Sequence, residues 1–213
     1  MIRSAPFRVA LTVLALAACA KDPTGGKPLV EVAEARPRAP AAAAAETLDL
    51  TPANTRVGWV GAKITAQHSG SFADLRGTLA LVDGKPERSR VEVEIATASI
   101  TEDDDNAKLV GHLKSPDFFD VATYPTARFV STEIVPTGAD YRVTGNLELH
   151  GVTRSVTFPA KIEVTPAAVR VEAELGINRH DWKISYPGAR DDLIKDNVLI
   201  KLAIDAPRAA NKS

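Results

Sequence analysis

The 213-residue chain predicts an all-β domain of about eight antiparallel strands, broken once by a helical insertion at about residues 101–120. Three observations carry that prediction. Apolar and polar residues alternate with period 2 in one segment after another between Val57 and Ile204, as in strands with one buried face. A long hairpin is written into Tyr141–Pro159, and most of the remaining connections are short and turn-like. Between Ser99 and Pro125 the alternation stops, and a helical spacing replaces it.

The chain begins with Arg3 and Arg8, followed by the apolar run Val9–Ala18 and then Cys19, the single cysteine. A basic start, an apolar run of about ten residues and a small-residue end make a secretory signal over residues 1–18. The run is too short for a lasting membrane helix, which needs about 20 residues. Leu16-Ala17-Ala18-Cys19 resembles a bacterial lipobox, which implies lipidation of Cys19 after cleavage; plain secretion is the alternative. Ala20 after Cys19 is compatible with the outer membrane rather than the inner one. Loss of the leader removes two arginines and no acids, so the net charge moves from −1 to about −3 (−1 minus 2).

Residues 19–46 read as a linker. Pro23, Gly25, Gly26, Pro28, Pro37 and Pro40 precede the alanine run 41–45, without any sustained apolar period. Such a segment extends at roughly 3.1 Å per residue and would tether the domain loosely. The domain spans 47–206, with a tail at 207–213.

Val57–Gln67 and Ser71–Val82 read as the first strands, and Gly77 within the second marks a bend or bulge. Asp83–Pro86 is a turn. In Arg88–Ala98, Val91, Val93 and Ile95 point inward while Arg90, Glu92 and Glu94 point out. Leu109, Val110 and Leu113 give Asp103–Lys114 the spacing of an amphipathic helix, with Asp103–Asp105 at its positive end. Ser115-Pro116 reads as a cap with Pro opening a second short turn, and Phe118 and Phe119 follow. Strands resume at Thr126–Val135. In the hairpin, Val143, Gly145, Leu147 and Leu149 share a face with Val156, Phe158, Ala160 and Ile162. His150-Gly151 sits where a two-residue turn demands positive φ. Val169–Asn178 and the stretch containing Val198, Ile200, Leu202 and Ile204 complete the set. Such strands make either a sandwich or a closed barrel, the latter with an interior filled by side chains or by one small ligand. Periodicity leaves open whether the helix or something apolar fills it.

Two stretches resemble a known family. His112–Asp120 (HLKSPDFFD) running into Tyr124-Pro125, and Gly145–Thr153 (GNLELHGVT), are similar to the YceI-like polyisoprenoid-binding family, and the likeness extends over about Thr47–Ala206. It implies a lipocalin-like eight-stranded barrel holding a long apolar chain, such as a polyisoprenoid or its quinone derivative, in a secreted or periplasmic protein. His150 stands where the family usually has Asn, and Lys183 where glycine is common.

The residues offer little other chemistry. His68, His112, His150 and His180 form no short ligand pair, so neither a metal nor another cofactor is called for. No G-x-S-x-G elbow is present, Asp103–Asp105 and Asp191-Asp192 read as solvated loop positions, and no catalytic residue is assigned. Near-neutral charge and few aromatics argue against nucleic acid. The expected partners are therefore an apolar isoprenoid-type lipid and a membrane reached through the N-terminal anchor; the sequence carries no signal for an oligomeric state. Lining candidates are Phe72, Leu75, Leu79, Val93, Ile95, Phe118, Phe119, Phe129, Leu147, Phe158 and Leu175, with Phe118 and Phe119 at the mouth and His112 beside them as a head-group donor. The rival reading is a structural or stress-related envelope protein whose barrel its own side chains fill.

Overall fold

A computed structural model describes residues 22–37 and 46–208. In chain order its strands are β1 (Glu31–Glu34), β2 (Glu46–Leu50), β3 (Thr55–Ala62), β4 (Gln67–Ser71), β5 (Leu75–Val82) and β6 (Lys85–Ala96). After helix α1 (Ala107–Lys114) come β7 (Thr126–Thr137), β8 (Asp140–Leu149), β9 (Val152–Val164) and β10 (Ala168–Asn178). The short pair β11 (Gly188–Ala189) and β12 (Asp192–Leu193) precedes the last strand, β13 (Asn197–Pro207). The leader, Cys19 and the alanine run lie outside the described residues.

The expected eight strands are present as eight staves: β2 with β3, β4 with β5, then β6, β7, β8, β9, β10 and β13. Two staves are bent. β2 pairs with β5, whereas β3, four residues further on, pairs with β13 and β4. That relay joins the two ends of the antiparallel run β5-β6-β7-β8-β9-β10-β13-β3 and curls the sheet into a barrel. Inside lie two continuous apolar clusters, one around Trp59, Val156, Phe158 and Trp182 and one around Leu48, Leu79, Val169 and Ile204.

Local chemistry explains where elements start and turn. His150 (φ 50°) and Gly151 (φ 70°) both take positive φ, the geometry that a two-residue hairpin compatible with strand twist requires. Gly77 stays in register, and the ladder slips instead between Ala80 and Val82. A Cβ on Gly77 would stand 2.2 Å from the Glu92 carbonyl oxygen, so its glycine serves close strand approach and not a bulge.

The helix begins at Ala107, later than the acidic run suggests. Asn106 is the cap and accepts a hydrogen bond from the Leu109 amide at 3.0 Å. Asp103–Asp105 stay in the preceding loop, where the buried Glu102 carboxylate accepts from the amides of Asp104 and Asn106 and meets His68 Nδ1 at 3.1 Å. The Asn106 amide first, and His68 and the Asp104 amide after it, hold the Glu102 carboxyl below the usual carboxylate range.

The linker is the main departure from expectation. Residues 28–34 run down the barrel wall as a strap instead of hanging free. β9 and β10 pair with each other only over Lys161–Val164 and Val169–Glu172, and below that level they part. The strap enters the gap: β1 pairs antiparallel with Arg154–Thr157 of β9, and Leu29 bridges Gly176 of β10. Unpaired strand edges need partners, and this segment supplies them. The first two residues of the tail are also tied: β13 runs to Pro207, and Arg208 donates to the Glu46 carboxylate (2.8 Å) and to the Thr165 carbonyl (2.8 Å).

Lys183 follows a 3-10 turn at Arg179–Trp182 with φ 60° and ψ 18°. That left-handed conformation is why glycine suits this position. Lys183→Gly is expected to raise stability by about 0.5–1 kcal/mol, since relief of Cβ strain exceeds the added chain entropy. A urea midpoint shifted upward with an unchanged slope would show it.

Candidate functional site

The barrel interior contains a cavity of about 150 Å³. That is room for about five water-sized groups at roughly 30 Å³ each, a methylene being of similar bulk. Its wall is built by alternate residues of consecutive strands: Leu79 and Leu81 from β5, Val93 and Ile95 from β6, Phe129 and Ile134 from β7, Val143 and Leu147 from β8. Val156, Phe158, Ala160 and Ile162 come from β9, Val171, Leu175 and Ile177 from β10, and Ile200, Leu202 and Ile204 from β13. Alternation in the chain becomes a continuous apolar surface because every stave shows the same face inward.

At one end Pro86, Ser89 and Arg90 join the lining beside the β5–β6 turn, and the surface they offer the cavity is apolar. Ser89 Oγ donates to the Lys85 carbonyl at 2.6 Å and accepts from the Val82 amide at 3.1 Å, which braces that turn. Arg90, expected to point outward, contributes to the lining where the ladder slips between Ala80 and Val82.

The opposite end is stoppered. Trp182 is 0% exposed and its Nε1 donates to the Leu147 carbonyl at 3.3 Å. Its own carbonyl accepts from His150 Nδ1 at 3.1 Å, so the hairpin turn pins the tryptophan loop. Trp59 packs in the same cluster, its Nε1 donating to the Thr101 carbonyl at 3.2 Å. Arg179, 4% exposed, knits the loop from inside by donating to the carbonyls of Ile184 (2.8 Å) and Lys195 (3.2 Å). Burial lowers its pKa and Asp196 partly offsets that, leaving the guanidinium charged.

Seven of the twelve binding candidates lie on the cavity wall: Leu79, Val93, Ile95, Phe129, Leu147, Phe158 and Leu175. Leu75 is buried outside the lining. Phe118 and Phe119 are not at the rim. Phe118 is buried in the stopper's cluster with Trp59, Leu113 and Trp182, and Phe119 meets Phe72 edge-on at 5.8 Å. The helix folds back over the closed end, which turns both rings into packing for it. His112 Nε2 lies 2.9 Å from Asp117 Oδ2, and its ring stands against Phe118 and Tyr186, away from the cavity. Sequence reading missed Trp182 and Arg179, and it gave Val156, Ala160, Ile162, Val171, Ile177, Ile200, Leu202 and Ile204 an inward face without naming them as lining. A lone Trp in an irregular loop is the one signal that pointed to the stopper. Among the described residues, no three His, Cys, Asp or Glu side chains gather as a metal site would require.

The YceI-like domain pattern matches residues 48–206, the barrel from its first stave to the end of its last. The chain belongs to the YceI-like family. A UPF0312 protein of Pseudomonas putida is 36% identical over 141 residues, which span 62% of this chain and 71% of that protein. Among solved structures, BcnA of Burkholderia cenocepacia is 26% identical with a TM-score of 0.64, covering 73% of this chain and 98% of that one. A polyisoprenoid binding domain from Saccharophagus degradans matches with a TM-score of 0.60 at 16% identity, over 78% of this chain and all of that one (100%). At that identity the likeness concerns the fold. The matched YceI-like pattern begins after the strap, so residues 28–34 lie outside it.

Proposed function

We propose that this YceI-like chain binds a long apolar lipid, a polyisoprenoid or isoprenoid quinone, and carries or stores it at the cell envelope. The observation that carries the reading is a cavity whose exposed wall is wholly aliphatic and aromatic, stoppered at one end. Such a wall takes an apolar tail. Each buried methylene contributes about 0.8 kcal/mol, so affinity needs no converging polar motif. The polyisoprenoid-binding description of the Saccharophagus degradans domain supports the same ligand class. Binding without catalysis fits a wall that brings no acid, base or nucleophile together. The leader and Cys19 support a lipid-anchored protein at the periplasmic face of a membrane, the outer one in preference to the inner.

The cavity's small volume favours one second reading, a structural envelope protein whose barrel needs no ligand. Native mass spectrometry of the chain from residue 20 onward, purified without detergent, separates the two. A defined added mass that is released on denaturation and identified as an isoprenoid is the expected result. A bare chain mass that persists after incubation with lipid vesicles would establish the structural reading.

A further inference from the structure

The strap sits in the one stretch of described wall where neighbouring staves are separated by a segment from outside the barrel domain. Above it, β9 and β10 are joined directly, and β8–β9 and β10–β13 are laddered along nearly their full lengths. The strap's hold is shallow. Glu31–Glu34 are all exposed and only Val30 reaches the core, at 9% exposure. Its anchors are the exchange between Val30 and Pro28 and the backbone of Gly176 (2.8 Å each), the β1–β9 pairing, the exposed exchange of the Arg36 backbone with the Asn146 side chain (2.9 and 2.8 Å), and surface ion pairs. Those pairs, Lys27–Glu174 (2.5 Å), Glu34–Arg154 (2.9 Å) and Arg36–Glu133 (3.3 Å), are partly or wholly open to solvent, where ion pairs contribute little. Immediately inside the slot stand Val156, Leu175 and Ile177, all members of the cavity wall.

We infer that residues 28–34 are a displaceable stave: a short apolar chain fits the cavity with the strap in place, whereas a longer chain lodges only when the strap leaves the slot between β9 and β10. The inference rests on the lipid-binding reading above and extends it to ligand length. A cavity of about 150 Å³ takes about five methylene-sized groups, and interiors packed at crystal density do not stretch uniformly. The wall has to open somewhere, and a ladder of continuous backbone hydrogen bonds resists opening more than a seam filled by a separate, shallowly buried segment.

The test is a lock. Ala33 and Ser155 face one another in the β1–β9 register, close enough for a disulfide. The chain from residue 20 onward contains every described residue and no cysteine, so Ala33→Cys with Ser155→Cys introduces a single possible bond. Pentanol and solanesol serve as the short and long probes, with bound mass read by native mass spectrometry. The expected result is equal pentanol binding in the oxidised and reduced forms, and at least tenfold less solanesol in the oxidised form, restored by reductant. Equal solanesol uptake by both forms would overturn the displaceable stave while leaving the cavity reading intact. Failure of the unsubstituted chain to bind either probe would overturn both.

Discussion

Ala160→Phe is expected to strip the protein of retained lipid, lowering the bound fraction at least tenfold. Ala160 is 3% exposed, sits midway along β9 and lines the cavity, so a ring added there enters the space a tail would use. A tenfold loss corresponds to about 1.4 kcal/mol, and each excluded methylene forfeits about 0.8, so displacing two suffices. Overpacking of a dense core costs about 1–3 kcal/mol, but here the ring finds existing space, and the fold is expected to survive. Lys161→Phe, one residue on and pointing outward, is the matched control, with unchanged retention. Native mass spectrometry and a melting curve of both variants make the check; undiminished lipid in Ala160→Phe would place the ligand outside this cavity.

Trp182→Ala is expected to be the most damaging truncation, destabilising the barrel by about 3–5 kcal/mol. The side chain is fully buried, and its loss leaves a void at the closed end and deprives the Leu147 carbonyl of the indole donor. Net domain stability is typically about 5–15 kcal/mol, so this one change consumes a large share of it. Trp182→Phe keeps most of the packing and loses chiefly the hydrogen bond, at about 0.5–1.5 kcal/mol. Urea denaturation orders the three proteins; an alanine variant as stable as the phenylalanine one would show that the stopper is not held by packing.

The two variants test residues that differed greatly in legibility. Ala160 belongs to an alternating strand, and its inward face followed from its neighbours Phe158 and Ile162. Trp182 lies in an irregular loop, where period 2 says nothing, and its role depends on His150 and Leu147, more than thirty residues away. Phe118 and Phe119 show the limit from the other side. Their apolar character was plain, but a ring that seals one end of a barrel and a ring that guards the other look alike in sequence. The strap was hidden for a related reason. Glu31–Glu34 is too short to carry a pattern that outweighs the prolines and glycines before it, and it pairs with a strand over one hundred residues later.

What the sequence by itself determined was everything written in local periodicity and turn chemistry: the staves, their inward faces, the His150-Gly151 hairpin, the helical insertion and the family. Side-chain alternation and positive φ are properties of adjacent residues, so a linear reading reaches them. Only the tertiary structure decided how two staves bend to close the ring, which apolar residues face a void and which fill it, and where the N-terminal segment docks. Those outcomes depend on edges left unpaired and volumes left unfilled once distant strands meet, and no short stretch of the chain encodes either quantity.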